Sequence, residues 1–314
     1  MAVAVVILNW NQAADTIRCV RAVAAWQSVR PDVYVVDNGS VDGSADEIAR
    51  CCPAARLIKS ECNRGFAGGT NLGIAAALDD HADPILLLNN DAVIDEQDVQ
   101  HLAMVLAKDD RLGAVAPLLY DDDGGQRLLS AGGRNIGRHV NTHVALLLNA
   151  EAPAVVDYVP GTVALVRAVV FQEAGLFDED YFFSGEMADL CERARLLGYR
   201  SAVDPSARAY HALSHSSELR ETLHAYYILR NRFLFVRKFM HVERLPRMVF
   251  WSAYGAAAAL RAHLTGRRAQ ARALRLVGAA GPTLQAGPTR HLRKLRSLTD
   301  HAGCPWRFQT LACI

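Results

Sequence analysis

The chain lacks most of the signatures that would place it at a glance. Seven cysteines (Cys19, Cys51, Cys52, Cys62, Cys191, Cys304 and Cys313) include no Cys-x-x-Cys pair, and their number is odd. That counts against a spaced zinc site, and leaves buried thiols in a reducing cytosol as the simplest reading. No G-x-G-x-x-G and no loop ending G-K-[ST] occurs, which counts against a nicotinamide dehydrogenase and a P-loop ATPase. The uncharged run Met248 to Leu260, MVFWSAYGAAAAL, is too short to span a bilayer. The opening MAVAVVILNW has no basic segment and only a short apolar run before Asn9, so it reads as a strand and not as a signal peptide. No internal repeat is visible.

What the sequence does have is core-forming material. Over 314 residues, 51% hydrophobic and 21% charged content describe a globular chain large enough for one big domain or two. The net charge of +1 conceals a division. Up to Ser217 there are 17 Lys+Arg against 29 Asp+Glu, and from Glu218 onward 17 against 4. The reading is therefore an acidic region 1–216, able to hold a cation, and a basic helical region 217–314 able to meet phosphates or anionic lipid.

In the acidic region strands alternate with helices. Strands are expected at Val3–Leu8, Val33–Val36, Arg56–Ser60, Ile85–Leu88, Gly113–Ala116, Tyr158–Arg167 and Arg200–Val203. Helices are expected at Ala13–Gln27, Ser44–Arg50, after the glycine-rich NRGFAGGTNLG to about Leu78, at Glu96–Lys108 and at Ala188–Leu197. Such spacing means βαβ units and a mostly parallel sheet, and in such sheets ligands gather outside the carboxyl ends of the strands. Polar clusters sit at three of those ends: Asn9-Trp10-Asn11, Asp37-Asn38 and Asn89-Asn90-Asp91. One such cluster is ordinarily a turn or a helix cap. Three on one sheet point to a shared site.

Each residue carries two readings. Asp37 can accept from a base or a ribose, or close an Asx turn. Trp10 can stack on a base or fill a core. Asn63 and Arg64, ahead of glycines that open a helix, suit an anionic oxygen. Asp91, with Asn89 beside it, is a hard oxygen donor of the kind Mg²⁺ or Mn²⁺ prefers. Glu186 and Asp189, three apart at a helix start, are either acid–base groups or capping acids. His211, after a strand, is a ligand or a core histidine.

Seven segments in order, VVILNWN, VDNGSVDGS, NRGFAGGTNLGI, LLLNNDAVI, VPGTVALVRAVVFQEAGLFDEDYFF, GEMADLCERARLLGYR and AYH, resemble the bacterial family 2 glycosyltransferases, in the subgroup with rhamnosyltransferase-like enzymes. The resemblance runs from about Val3 to His211. It implies a GT-A fold, a Rossmann-like, mostly parallel α/β sheet flanked by helices and followed by a C-terminal helical region. It also implies inverting transfer from a nucleotide-diphosphate sugar, UDP- or dTDP-linked, to a hydroxyl of a glycan, glycolipid or small molecule.

Carried over by residue, Trp10 is the aromatic that stacks the base, with Asn11 following. Asp37 reads the base, and Asn63 and Arg64 lie by the diphosphate. Asn89-Asn90-Asp91 stands for the D-x-D motif, with Asp91 and His211 on the Mg²⁺ or Mn²⁺ ion. The first acid of D-x-D is Asn here, which removes one charge. A second departure is sharper: the family's E-D-x-D places its base where this chain has Met187, so Glu186 is expected as base and Asp189 as the residue orienting the acceptor. A catalytically inactive nucleotide-sugar-binding relative and a sugar-nucleotide uridylyltransferase are the competing readings. The expected setting is cytoplasmic, with no nucleic-acid partner, a second copy of the chain as a candidate partner, and peripheral contact of the basic helices with the inner face of the membrane.

Overall fold

A computed structural model describes residues 1–123, 127–142, 152–212 and 218–280. Its first half follows the alternation read from the sequence: β1 Ala2–Asn9, α1 Ala13–Ala24, β2 Arg30–Asp37, α2 Ser44–Cys51, β3 Arg56–Lys59, α3 Gly65–Asp79, β4 Ile85–Asn89, β5 Ala92–Ile94 and α4 Glu96–Ala107. Then come β6 Leu112–Asp121, β7 Leu128–Ser130, β8 Ala154–Val156, β9 Val163–Val166, α5 Ala168–Ala174, a 3₁₀ turn Glu179–Tyr181, α6 Glu186–Leu196 and β10 Arg200–His211. Three helices follow: α7 Glu218–Phe239, α8 Arg244–Leu264 and α9 Arg268–Ala280.

The strands form one sheet in the order β3-β2-β1-β4-β9-β6-β10-β5, with β7 on β6 and β8 on β10. Pairings β1–β2, β1–β4, β2–β3 and β6–β10 are parallel. β9 runs against both its neighbours, β4 and β6. β1 is apolar on both faces because helices cover both. Val3, Val5 and Ile7 pack on one side with residues of α1 and α4, and Ala4 and Val6 on the other with α3. Helix α3 lies unusually close to the sheet. A Cβ on Gly73 would sit 2.5 Å from Val6 Cγ1, so the glycines that looked like a ligand loop serve helix–sheet packing in this stretch.

Two segments expected as simple strands differ. Only Val163–Val166 of the Tyr158–Arg167 stretch is strand, with Tyr158 held by an isolated bridge to Gly133. β10 runs on to His211, past a register shift between Asp204 and Arg208, and so carries that histidine to the same edge as Asp91. Helix α6 begins at Glu186, two residues before the expected start.

The basic region is tied to the sheet domain through α7. Asn231 donates to the carbonyls of Tyr181 (3.0 Å), Phe183 (2.9 Å) and Ser184. Arg232, buried, donates to the carbonyls of Ile136 (3.0 Å), His139 and Val140 (2.8 Å), with its guanidinium 4.2 Å over the Trp251 ring. A separate apolar cluster around Phe233 and Trp251 joins α7, α8 and α9. The final part of the basic region, 281–314, lies outside the described residues. Among the described residues Cys19, Cys51, Cys52 and Cys191 are free thiols.

Candidate active site

β1, β2 and β4 end in register. Asn9 pairs with Asp37, and Leu8 with Asn89, across neighbouring parallel strands. Because backbone spacing is fixed along a parallel ladder, the side chains just past these positions emerge at one edge.

The first group is a buried polar network. Asn9, fully buried, donates to Asp37 Oδ1 (2.7 Å) and Ser40 Oγ (3.1 Å), and accepts from Thr16 Oγ1 (2.8 Å). Asp37 Oδ2 takes the Ser40 N–H at 3.2 Å. Asn90 donates to Thr16 Oγ1 at 3.0 Å, so its amide turns inward and locks β4 to α1. Asn11 adopts a left-handed backbone (φ 54°), accepts from the Val41 N–H, and its own N–H is held by Ser40. Beside this framework Trp10 is 46% exposed. A rigid floor below an open indole face suits stacking of a flat ring.

The second group is the start of α3. Buried Asn38 donates to Asn63 Oδ1 (3.1 Å) and to the Gly65 carbonyl (3.0 Å), and accepts the Arg64 N–H (3.0 Å). Asn63 accepts the Gly65 N–H at 2.8 Å, and the Ala67 N–H goes to the Phe182 carbonyl at 3.3 Å. The amides expected to meet an anion are thus given to protein partners. Gly65 (φ +72°) is pressed against the Phe182 carbonyl, where a Cβ would come within 2.3 Å. The Arg64 guanidinium, part-exposed, reaches both oxygens of Glu179 at 3.1 Å. This loop-to-helix contact brings the 178–186 segment onto the edge of the sheet.

The third group is Asp91 with His211. Asp91 sits in the turn before β5, and β5 pairs antiparallel with the end of β10. His211 Nε2 lies 3.1 Å from Asp91 Oδ1, and the Ala212 N–H donates to the Asp91 carbonyl at 3.0 Å. Both side chains are nearly buried. One hard carboxylate oxygen and one imidazole nitrogen on adjoining strands fit a divalent cation that keeps positions open for phosphate oxygens. No group of three or more His, Cys, Asp or Glu side chains suited to a metal occurs among the described residues, so the protein supplies a partial set.

The fourth group opens α6. Met187, which the resemblance sets at the base position, is 3% exposed and packs in the core against Gly161. Next to Gly161, the Thr162 carbonyl accepts the Asn89 N–H at 2.9 Å, which joins the end of β4 to the start of α6. Glu186 is buried, and its Oε2 has no hydrogen-bond partner among the described residues. Burial, reinforced by the charge of Asp189, pushes its carboxyl up to about 7, against the pull of backbone N–H groups from Glu186 itself and Ser184. A carboxyl poised near neutrality with an uncommitted oxygen is suited to taking a proton.

Asp189 has a different place from the one expected. It is fully buried, with Oδ1 on Arg193 Nε and Oδ2 on Lys238 Nζ, both at 2.6 Å. Lys238 also meets Asp178 at 2.9 Å, so one lysine of α7 clamps both ends of the 178–189 segment. Since both Asp189 oxygens are engaged by cations, the geometry favours a strut holding Glu186 in place. Asp189→Ala is expected to cost about 3 kcal/mol of stability, the scale for breaking a buried ion pair, whereas Asp189→Asn costs less. Urea unfolding of the two variants checks this.

Asn9, Asn38, Glu179, Asn231 and Lys238 are positioning residues that sequence reasoning did not assign. A polar residue closing an apolar strand was the visible signal for Asn9, and the Arg-Asn-Arg run inside an apolar helix was the signal for Asn231.

The family model described as glycosyl transferase family 2 matches residues 4–173. Among curated proteins, the N-acetylglucosaminyl-diphospho-decaprenol L-rhamnosyltransferase of Mycobacterium tuberculosis is 26% identical over 276 residues, covering 78% of this chain and 88% of its own. The dTDP-rhamnosyl transferase RfbF of Shigella flexneri is 24% identical over 214 residues, 66% of this chain and 71% of its own. Among solved structures, the Pyrobaculum calidifontis mannosyltransferase PcManGT, in complex with GDP-Man and Mn²⁺, superposes with TM-score 0.57 at 18% identity, over 94% of this chain and 84% of its own. GalNAc-T7 with UDP, GalNAc and Mn²⁺ gives TM-score 0.61 at 15% identity, over 96% and 56%. The sheet is that of a GT-A transferase, and with the family match spanning more than half its length the chain belongs to glycosyl transferase family 2.

Proposed function

We propose that the protein transfers a hexose or deoxyhexose from a nucleotide-diphosphate sugar to an acceptor hydroxyl, with inversion at the anomeric carbon. The observation that carries this reading is Glu186, buried at the start of α6 with a raised carboxyl, alongside the Asp91–His211 pair past the end of β4, where the Asn89 N–H meets Thr162 next to the Gly161 that packs on Met187. Trp10 stacks the base, and Asp37, fixed by Asn9 and Ser40, offers its remaining acceptor capacity to the base or ribose. Asn11, Asn63 and Asn89 line the cleft, with Asn90 bracing it from behind. Arg64 exchanges Glu179 for the diphosphate.

Asp91 and His211 are the residues that would hold Mg²⁺ or Mn²⁺, which when bound offsets the charge of the departing diphosphate. Glu186 takes the acceptor hydroxyl proton as that oxygen bonds to the anomeric carbon, while the bond from that carbon to the diphosphate oxygen breaks. Shielded from water, the carboxylate is a stronger base than an exposed one. The names of the relatives favour a dTDP- or UDP-linked rhamnose or hexose donor and a polyprenol-diphosphate acceptor. The inactive reading has Met187 in its favour. The raised carboxyl of buried Glu186 favours turnover.

A thermal-shift panel of UDP-, dTDP- and GDP-sugars with and without Mn²⁺ tests the donor site. A cognate donor at 100 times its Kd stabilises by about 2.7 kcal/mol. No shift with any nucleotide-sugar would contradict the reading.

A further inference from the structure

Helix α8 has an apolar face that no described element covers. Its inner side, with Met248, Trp251, Gly255, Ala259 and Ala262 buried, packs on α7 and α9. Its outer side is equally apolar: Leu245 is 77% exposed, Val249 65%, Leu260 56% and Leu264 76%, with Phe250 and Tyr254 alongside. At 100° per residue, Leu245, Val249, Leu260 and Leu264 fall in one stripe about 100° wide, with exposed Ala253, Ala256 and Ala257 filling it. A helix apolar all round is ordinarily buried on every side. Here half of it faces outward, a patch of the kind that marks an interaction surface.

The charge around the stripe identifies the partner. Between Arg244 and Ala280 the sequence has no Asp or Glu and seven Arg. Arg261, Arg267, Arg268, Arg272 and Arg275 are exposed along the end of α8 and on α9. Glu243, just before α8, is engaged by Arg138 and Arg247, and beyond it the apolar centre, the aromatic pair beside it and the arginines of the α8 end and α9 complement an acyl layer under anionic headgroups. No helix among the described residues is long and apolar enough to cross a membrane, so the fit is to the interface.

We infer that α8 and the arginine side of α9 form a docking face for an anionic lipid surface. The face stands independently of the transfer chemistry, but the fold connects them. α8 packs on α7, and Asn231 and Lys238 of α7 hold the loop that presents Glu186.

The test is flotation of the full chain with phosphatidylglycerol-containing vesicles and with pure phosphatidylcholine vesicles, at low and high salt. The expected result is binding to the anionic vesicles alone, reduced by salt. Val249→Glu with Leu260→Glu weakens it at least tenfold, and Arg267→Glu with Arg268→Glu about tenfold. All four positions are exposed, so melting temperatures should stay near that of the parent, and the arginine pair keeps the test decisive if the stripe variant misfolds. No binding at low salt would overturn the inference, as would equal binding to both vesicles. So would vesicle binding unchanged by the stripe variant while sedimentation passes from dimer to monomer, which would assign the face to a second copy of the chain.

Discussion

Glu186→Gln is expected to lower kcat about 100-fold or more, while the Kd for the nucleotide-sugar donor changes little. Glutamine keeps the size of the side chain and can still accept the backbone N–H groups of Glu186 and Ser184, but it cannot take a proton. The parent enzyme should lose kcat/KM as the pH falls through about 7, where burial holds the Glu186 carboxyl, and the variant's residual rate should lack that limb.

The same substitution has a stability signature of opposite sign. Between the carboxyl's ordinary value of 4.5 and its folded value of about 7, the native state binds the proton more tightly than the unfolded chain does. Stability therefore falls as pH rises across that window and levels off above it, by on the order of 3 kcal/mol in all. Glu186→Gln removes the charge that burial disfavours, so it should melt above the parent at pH 8 and close to it at pH 5. Loss of activity with a gain of stability at high pH would mark a residue retained for chemistry. Equal turnover in parent and variant would remove Glu186 from the role of base.

Asp91→Ala is expected to abolish the tightening of donor binding by Mn²⁺, a ratio of at least tenfold in the parent falling to about one. Its effect on folding should be small, because β5 is docked on β10 by backbone contacts, the antiparallel ladder and the Asp91 carbonyl, which the substitution keeps. His211→Ala should leave part of the metal effect, since the charged carboxylate oxygen, the harder donor of the two, remains. Calorimetric titration of donor with and without Mn²⁺ measures both. Equal metal dependence in Asp91→Ala and parent would separate the Asp91–His211 pair from the cation.

The framework of the site was legible where the chain obeys simple periodicity. Apolar runs that end in Asn or Asp located β1, β2 and β4, and their parallel register follows from the helices between them. The partners behind those residues were not legible. Asn9 closes a strand with its amide turned into the core, and sequence position alone cannot tell inward from outward. The glycines of α3 read as a phosphate loop because a ligand and a packed strand both ask for a missing Cβ; only the distance to Val6 separates them. β9, running antiparallel between β4 and β6, depends on long-range pairing that no local pattern encodes.

The charges of α7 misled in another way. Arginine ordinarily signals a solvated face, but Arg230 and Arg232 are buried on backbone carbonyls of the sheet domain, which composition does not show. Asp189 was chosen for its spacing from Glu186, which holds, whereas its engagement by Arg193 and Lys238 required the fold.

The central claim is sugar transfer with inversion, and the configuration of the product tests it most directly. The protein, Mn²⁺, a nucleotide-sugar that shifts its melting temperature and a hydroxyl acceptor should yield nucleoside diphosphate and a glycoside whose anomeric proton coupling, followed by NMR, reports the configuration opposite to that of the donor. A product of retained configuration, release of pyrophosphate in place of nucleoside diphosphate, or donor binding with no transfer to any acceptor would contradict it.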